Sequence, residues 1–212
     1  MNRREFSLGA AAALGFAASA RAQQRPPKEG VEYRALDQRQ PVEAPAGKVE
    51  VVEFFWYSCP HCNAFEPKLV SWIKRQNADV FVRRVPVGFR DSFVPQQRLF
   101  YTLEALGKLD ELHQKVFDAI HIKNQPTDRE AGILDFAEAN GLDRAKFREL
   151  YNSFTISTKA RRASQLQDAY KVDGVPALGI AGRWYTDGEM AGNMDRALQV
   201  VDYLVAEARK SK

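Results

Sequence analysis

The chain is short of the residues from which metal sites are made. Its 212 residues include two cysteines, Cys59 and Cys62, and three histidines. A structural zinc site needs four ligands, usually as two Cys or His pairs. No third cysteine exists, and His113 and His121 lack ligand spacing, so they read as surface or capping histidines and no metal is expected. Beyond the N-terminus no apolar run is long enough to span a bilayer. Internal repeats are absent as well. Basic pairs such as Arg83-Arg84 and Arg161-Arg162 come without an aromatic-rich RNA motif, so they read as solvated surface and no nucleic-acid partner is expected. What is present is ordinary: 45% apolar and 27% charged residues, as in a globular protein of one domain, or one domain with a large insertion.

The first 22 residues read as a leader. MNRREF is basic, SLGAAAALGFAASA is apolar and small, and Ala20-Arg21-Ala22 has the form of a signal-peptidase site. Arg3-Arg4-Glu5-Phe6 also resembles a twin-arginine signal. Either export route ends outside the cytoplasm. The net charge of +4 falls to +2 once Arg3, Arg4, Arg21 and Glu5 are set aside.

Periodicity places the elements. QQRPPKEG is a flexible lead-in, and residues 31–36 suit a short edge strand. Residues 49–55 read as a central strand covered on both faces. A helix starts at Pro60, which suits a first helical position, and runs to Gln76, with Pro67 expected to kink or interrupt it. Residues 79–87 form the next strand, parallel to the first because a helix separates them. Residues 95–170 are helical, with capping-box spacing at Thr127–Glu130, an end at Gly141, a cap at Asp143 ahead of DRAKFRELYNSF, and a further helix from about Ser157 to Tyr170. Strands return at 175–180 and 183–186, joined by a tight turn at Ala181-Gly182. Asn193 caps a terminal helix.

The two cysteines sit three positions apart in WYSCPHC. A structural disulfide there closes so small a loop that it removes little chain entropy. Two cysteines placed at random would fall three apart only about once in a hundred. The redox reading has a mechanism. Cys59 lies at a helix N-terminus, where the dipole and free N–H groups favour the thiolate. His61 adds positive charge or a hydrogen bond. Stabilising the thiolate makes the disulfide a stronger oxidant. Cys59 is then the attacked sulfur and Cys62 the resolving one. Glu53, inside the apolar strand, is either a buried proton relay for Cys62 or an edge glutamate in water. Pro176 is either a trans proline at a strand start or a cis proline packed beside the cysteines, with the Val175 backbone offering hydrogen bonds to a peptide.

EFFWYSCPHC, the following FEP, the helical block, YKVDGVPA and a C-terminal helix resemble the DsbA family of periplasmic thiol:disulfide oxidoreductases over nearly all of the chain after the leader. The resemblance implies an α/β fold, a thioredoxin-like mixed β-sheet with an inserted all-helical domain. After the leader (1–22), it implies a thioredoxin-like domain (23–94 and 171–212) and a helical insertion (95–170). It implies that Pro176 is cis, that Pro60, Val175 and Pro176 form the motif and peptide-binding surface, and that Glu53 matches a family glutamate. Glu66 matches a family acid too, but on a helix face it reads as solvated. Trp56 and Tyr57 pack near the motif without assigned chemistry. The implied activity is a monomeric periplasmic dithiol oxidase. Its redox group is the Cys59–Cys62 disulfide itself, with no cofactor. Its substrates are unfolded or reduced exported proteins, and a DsbB-type membrane quinone oxidoreductase is its reoxidant. No room is expected before Val49 for the dimerisation domain of the related isomerases. A reductase or isomerase, and a peptide-binding chaperone without thiol chemistry, remain the alternatives.

Overall fold

The computed structural model describes residues 25–210; the expected leader lies outside them. The sheet begins with β1 (Arg34–Ala35) and β2 (Val49–Phe55). Helix α1 (Pro60–Ile73) leads to β3 (Val80–Pro86). A 3-10 turn at Asp91–Phe93 opens the helical stretch: α2 (Val94–Ala105), α3 (Leu109–His121), α4 (Glu130–Ala139), α5 (Arg144–Tyr151) and α6 (Phe154–Ala169). The chain returns through β4 (Ala177–Ile180) and β5 (Trp184–Asp187) to α7 (Gly188–Ala191) and α8 (Met194–Lys210).

The strands form one mixed sheet in the order β1-β5-β4-β2-β3. β2 runs parallel to β3 and antiparallel to β4, and every one of its residues is buried. That burial explains its near-continuous apolar sequence. Strand alternation sends Val52 and Phe54 towards the helical stretch, and Val49 and Val51 towards α1 and α8. Phe65, Leu69 and Trp72 of α1 share the second core with Val200, Val201 and Leu204 of α8. Among the described residues no helix is long and apolar enough to cross a membrane.

Several boundaries differ from expectation for local reasons. The edge strand shrinks to Arg34–Ala35 because the preceding segment turns on itself: Gly30 N–H donates to Tyr33 O, and Lys28 N–H to the Glu32 carboxylate. That turn also replaces the flexible lead-in from Lys28 onwards. Pro67 does not interrupt α1, since its fixed φ fits a helix and its missing N–H removes one backbone hydrogen bond, to Asn63. The helix nevertheless stops at Ile73 rather than Gln76. Thr127 does not cap α4. It is buried, its hydroxyl accepts the Gln96 amide at 3.2 Å, and Arg129 holds the cap position. Asp143 caps α5 by accepting Lys146 N–H at 2.9 Å, as expected. That helix ends at Tyr151, and α6, capped by Ser153, begins three residues earlier than the pattern suggested. The β4–β5 turn has Ala181 and Gly182 both at positive φ, with Arg183 N–H donating to Ile180 O. Asn193 caps α8 through Arg196 N–H. The single turn α7, capped by Asp187, carries too few residues for a periodic signal.

Candidate active site

β2 delivers the chain into the turn Trp56–Ser58, and α1 begins directly after Cys59. Cys59 is the N-cap residue, with an extended backbone (φ −81°, ψ 118°) and no side-chain cap of its own. The free N–H groups of the first turn therefore face its sulfur, and no acidic residue in that turn opposes a negative charge. Both cysteines are thiols here; Cys59 is 8% exposed and Cys62, one turn into the helix, is 1% exposed. The Cys59 pKa falls to about 6. The hydrogen bond from the Cys62 thiol is the main cause, burial opposes it, and the backbone N–H groups of Cys62 and His61 and the His61 side chain add to it. Burial drives the Cys62 pKa steeply upward, helped by the neighbouring Cys59 sulfur and, more weakly, by Glu53. One thiol is thus prepared to ionise and its neighbour to stay protonated.

The opposite wall comes from the strand after the helical stretch. The Val175–Pro176 peptide is cis. Cys59 Sγ lies 3.5 Å from the Val175 carbonyl, to which its S–H donates. Pro176 is buried, whereas Pro60 and His61 are exposed beside the sulfur. The flanking loop is fixed from the helical stretch: Ser58 N–H donates to Gln96 Oε1, Gln96 Nε2 donates to Ser58 Oγ, and His121 Nε2 sits 2.8 Å from Tyr57 O. Trp56 stacks on Phe93 with centroids 4.1 Å apart.

Behind the cysteines lies a cluster of buried charge. Glu53 is buried on the α1 side of the sheet. Arg84, its register partner on β3, places Nε 3.2 Å from Glu53 Oε2 and donates from Nη2 to Glu66 Oε1 at 2.6 Å. His113 brings Nε2 to 3.6 Å from Glu66 Oε2, and its Nδ1 lies 2.8 Å from the Tyr57 hydroxyl. Burial raises Glu53 to a pKa of about 8, Glu66 adds to this, and Arg84 opposes it. Burial works against Glu66 as well, but His113 and Arg84 outweigh it and hold that carboxylate below its usual range. The outer side of Glu66, Arg84 and His113 floors a groove of about 630 Å³, walled by Val70, Phe81 and Leu109.

These positions correct four expectations. Glu66 is buried and paired, not solvated. His113 is buried rather than at the surface, because Phe55, Phe100 and Phe117 surround its ring. Arg83 and Arg84 are not solvated either. Being adjacent on a strand they point to opposite faces, Arg83 to Glu50 and Arg84 to Glu53 and Glu66. Tyr57 acquires a polar role through its hydroxyl. One signal in the sequence pointed this way: acids inside the apolar run VEVVEFF need buried cations. Among the described residues no cluster of three His, Cys, Asp or Glu is placed to hold a metal ion.

The family model of the DSBA-like thioredoxin domain matches residues 50–204. The chain belongs to this family. Similar proteins carry the name thiol:disulfide interchange protein DsbA. The one from Burkholderia cepacia is 38% identical over 207 residues, covering 98% of this chain and 95% of that protein. The one from Bordetella pertussis is 41% identical over 208 residues, covering 96% of each. The crystal structure of Pseudomonas aeruginosa DsbA superposes with a TM-score of 0.81 at 38% identity, over 87% of this chain and 95% of that one. The fold is accordingly the DsbA-like thioredoxin fold, and the helical stretch between β3 and β4 is continuous with that likeness.

Proposed function

We propose that this DsbA-family chain is a dithiol oxidase that donates the Cys59–Cys62 disulfide to reduced exported proteins. One observation carries the reading: two thiols in one helical turn have opposite tendencies, Cys59 lowered to about 6 and Cys62 raised by burial. A substrate thiolate attacks Cys59 Sγ of the disulfide. The Cys59–Cys62 bond breaks, and its electron pair leaves on Cys62, which takes up a proton. A second substrate thiolate then attacks the substrate sulfur of the mixed disulfide, and Cys59 departs as the stabilised thiolate. The substrate loses two electrons and the cysteine pair gains them. A stable leaving thiolate favours release, which makes the pair oxidising.

The other assignments belong to the same reading. His61 tunes Cys59 from solvent. Pro60 and the Val175 backbone, next to the buried Pro176, form the surface on which an extended peptide lies. Glu53 serves as the proton relay for Cys62. The redox group is the disulfide itself, so no cofactor is required. The leader, residues 1–22, directs the chain to the periplasm, where it works as a monomer and a DsbB-type quinone-linked membrane protein restores the disulfide.

The test uses the mature chain. Cys59→Ser abolishes oxidation of a reduced, unfolded substrate, while Cys62→Ser accumulates mixed disulfides on a non-reducing gel. In cells the pair is trapped mainly as the disulfide. A mainly reduced pair would make the protein a reductase or isomerase. Aggregation suppression unchanged in a double Cys→Ser variant, with no oxidation by the parent, would make it a chaperone.

A further inference from the structure

Four buried polar atoms of the charge cluster behind the cysteines make no hydrogen bond: Glu53 Oε2, Glu66 Oε2, Arg84 Nε and His113 Nε2. They oppose one another in two pairs, Arg84 Nε to Glu53 at 3.2 Å and His113 Nε2 to Glu66 at 3.6 Å. Two carboxyl groups therefore share one arginine in a desolvated site. Ionising both would leave a net negative charge there, so one proton is retained by the pair. The geometry decides which carboxyl retains it.

Glu66 has the better partners: a charge-assisted bond from Arg84 Nη2 at 2.6 Å, and the His113 imidazole. The orientation of that imidazole is fixed from its far side. Tyr57 is fully buried, and burial raises its pKa well above the ordinary value, so it keeps its proton. Its hydroxyl has one hydrogen-bond partner, His113 Nδ1 at 2.8 Å. If O–H donates there, Nδ1 is the acceptor and the imidazole proton resides on Nε2, pointing at Glu66. The opposite tautomer would strand the phenol proton and set a lone pair against a carboxylate, so the first is the stable one. Glu53 has the remaining contact with Arg84, unaligned for a hydrogen bond.

We propose that His113 is a positioning residue for the thiol exchange: held by Tyr57 as the Nε2–H tautomer, it keeps the negative charge of the carboxyl pair on Glu66 and leaves the proton on Glu53. This rests on the oxidase reading above. As the Cys59–Cys62 bond breaks, its electron pair leaves on Cys62 and the Glu53 proton passes to that sulfur, giving a Cys62 thiol and a transient Glu53 carboxylate that regains a proton from solvent, so the reduced protein again holds one proton on the pair. Reoxidation returns a proton along the same route. The charged and titratable groups around this step are Arg84 from β3, Glu66 and Cys62 from α1, Tyr57 from the loop and His113 from α3. Glu43, Arg83, Glu104 and Asp110 line the groove beyond.

The experiment follows the carboxyl carbons of Glu53 and Glu66 by NMR in the reduced mature protein as pH is varied. The parent protein is expected to show Glu66 ionising early and Glu53 late. In His113→Leu the two titrations should converge by about one pH unit or more, Glu66 rising and Glu53 falling. The pH at which a small thiol's rate of opening the disulfide breaks should move with Glu53. His113→Gln, whose amide still offers an N–H to Glu66, should restore part of the separation. Unchanged titrations in folded His113→Leu overturn the proposal. Should that variant not fold, Tyr57→Phe decides: partial convergence supports the proposal, and none overturns it. Oxidation of a reduced substrate by the parent protein is measured in parallel. Its failure would remove the oxidase reading while leaving the split titration to stand or fall alone.

Discussion

Cys59 and Cys62 are chemically identical and three residues apart, yet their surroundings oppose one another. Cys59 stands at the mouth of a helix that offers N–H groups, while Cys62 sits one turn inside it with almost no exposure. This difference has a thermodynamic consequence. In the folded, reduced protein Cys59 ionises near 6 rather than near 9.0. A depressed pKa contributes stability that is complete above the unfolded value and is lost as pH falls through the folded one. Cys62 works the other way. Its raised pKa keeps it protonated in the fold after it would ionise in the unfolded chain, so it becomes unfavourable above the ordinary thiol range. The disulfide form contains neither titration. The melting temperature of the reduced form relative to the oxidised form should therefore rise between pH 5 and about pH 8 and turn down above about pH 9. Paired thermal melts across that range check it; a flat difference would mean that Cys59 is not stabilised as a thiolate.

At the scale of elements, the parts that were legible from sequence are those with a local cause. β2 announced itself by its apolar run, α1 by Pro60 at its first position, and α8 by its spacing and Asn193. Cys59 at a helix tip followed from the same signals. Buried acids were hinted at by VEVVEFF, but their pairing was not legible, because each partner belongs to another element. Arg83 meets Glu50 across 33 residues of chain, and Arg84 meets Glu66 across 18. His113 faces Tyr57 across 56 residues. Nothing in α3 alone distinguishes a histidine at its surface from one inside an aromatic cage. Tertiary placement of this kind also fixes how the helical stretch grips the sheet. Tyr170, at the end of α6, lies against Phe54 with centroids 5.1 Å apart. Gly179 of β4 makes room for it: a Cβ there would stand 2.3 Å from Tyr170 Cε1. That ring is wholly buried, so it has nowhere to move. Gly179→Ala should destabilise the protein by roughly 1–3 kcal/mol, the usual range for overpacking, read as a lower urea midpoint with unchanged slope. An unchanged midpoint would mean that the ring and β4 separate without loss.

For the whole molecule, the question is whether the proposed helical insertion, residues 95–170, is a unit of its own. Its core does not stop at the sheet. One buried cluster runs from Val52, Phe54 and Phe55 of β2 and Val85 of β3 through Leu99, Phe100, Leu112 and Phe117 into Ile133, Phe136 and Phe147. The reaction centre stands on that shared core, since Gln96 and His121 of the helical stretch hold the loop of Ser58 and Tyr57. Separating the two parts would uncover Phe55 together with the polar cluster behind Cys62, where Glu53, Glu66 and Arg84 are stable as long as they stay enclosed together. An inserted unit with its own core would melt separately, whereas one sharing its core should not. Urea unfolding of the oxidised mature chain should give one transition by two probes. Tryptophan fluorescence reports the sheet side through Trp56, Trp72 and Trp184, and far-ultraviolet dichroism reports mainly the helices. Coincident midpoints are expected. A dichroism transition displaced from the fluorescence transition would show that the helical stretch releases the sheet first. Thiol exchange should then fail at the lower of the two midpoints, because the loop carrying Cys59 would have lost its anchors.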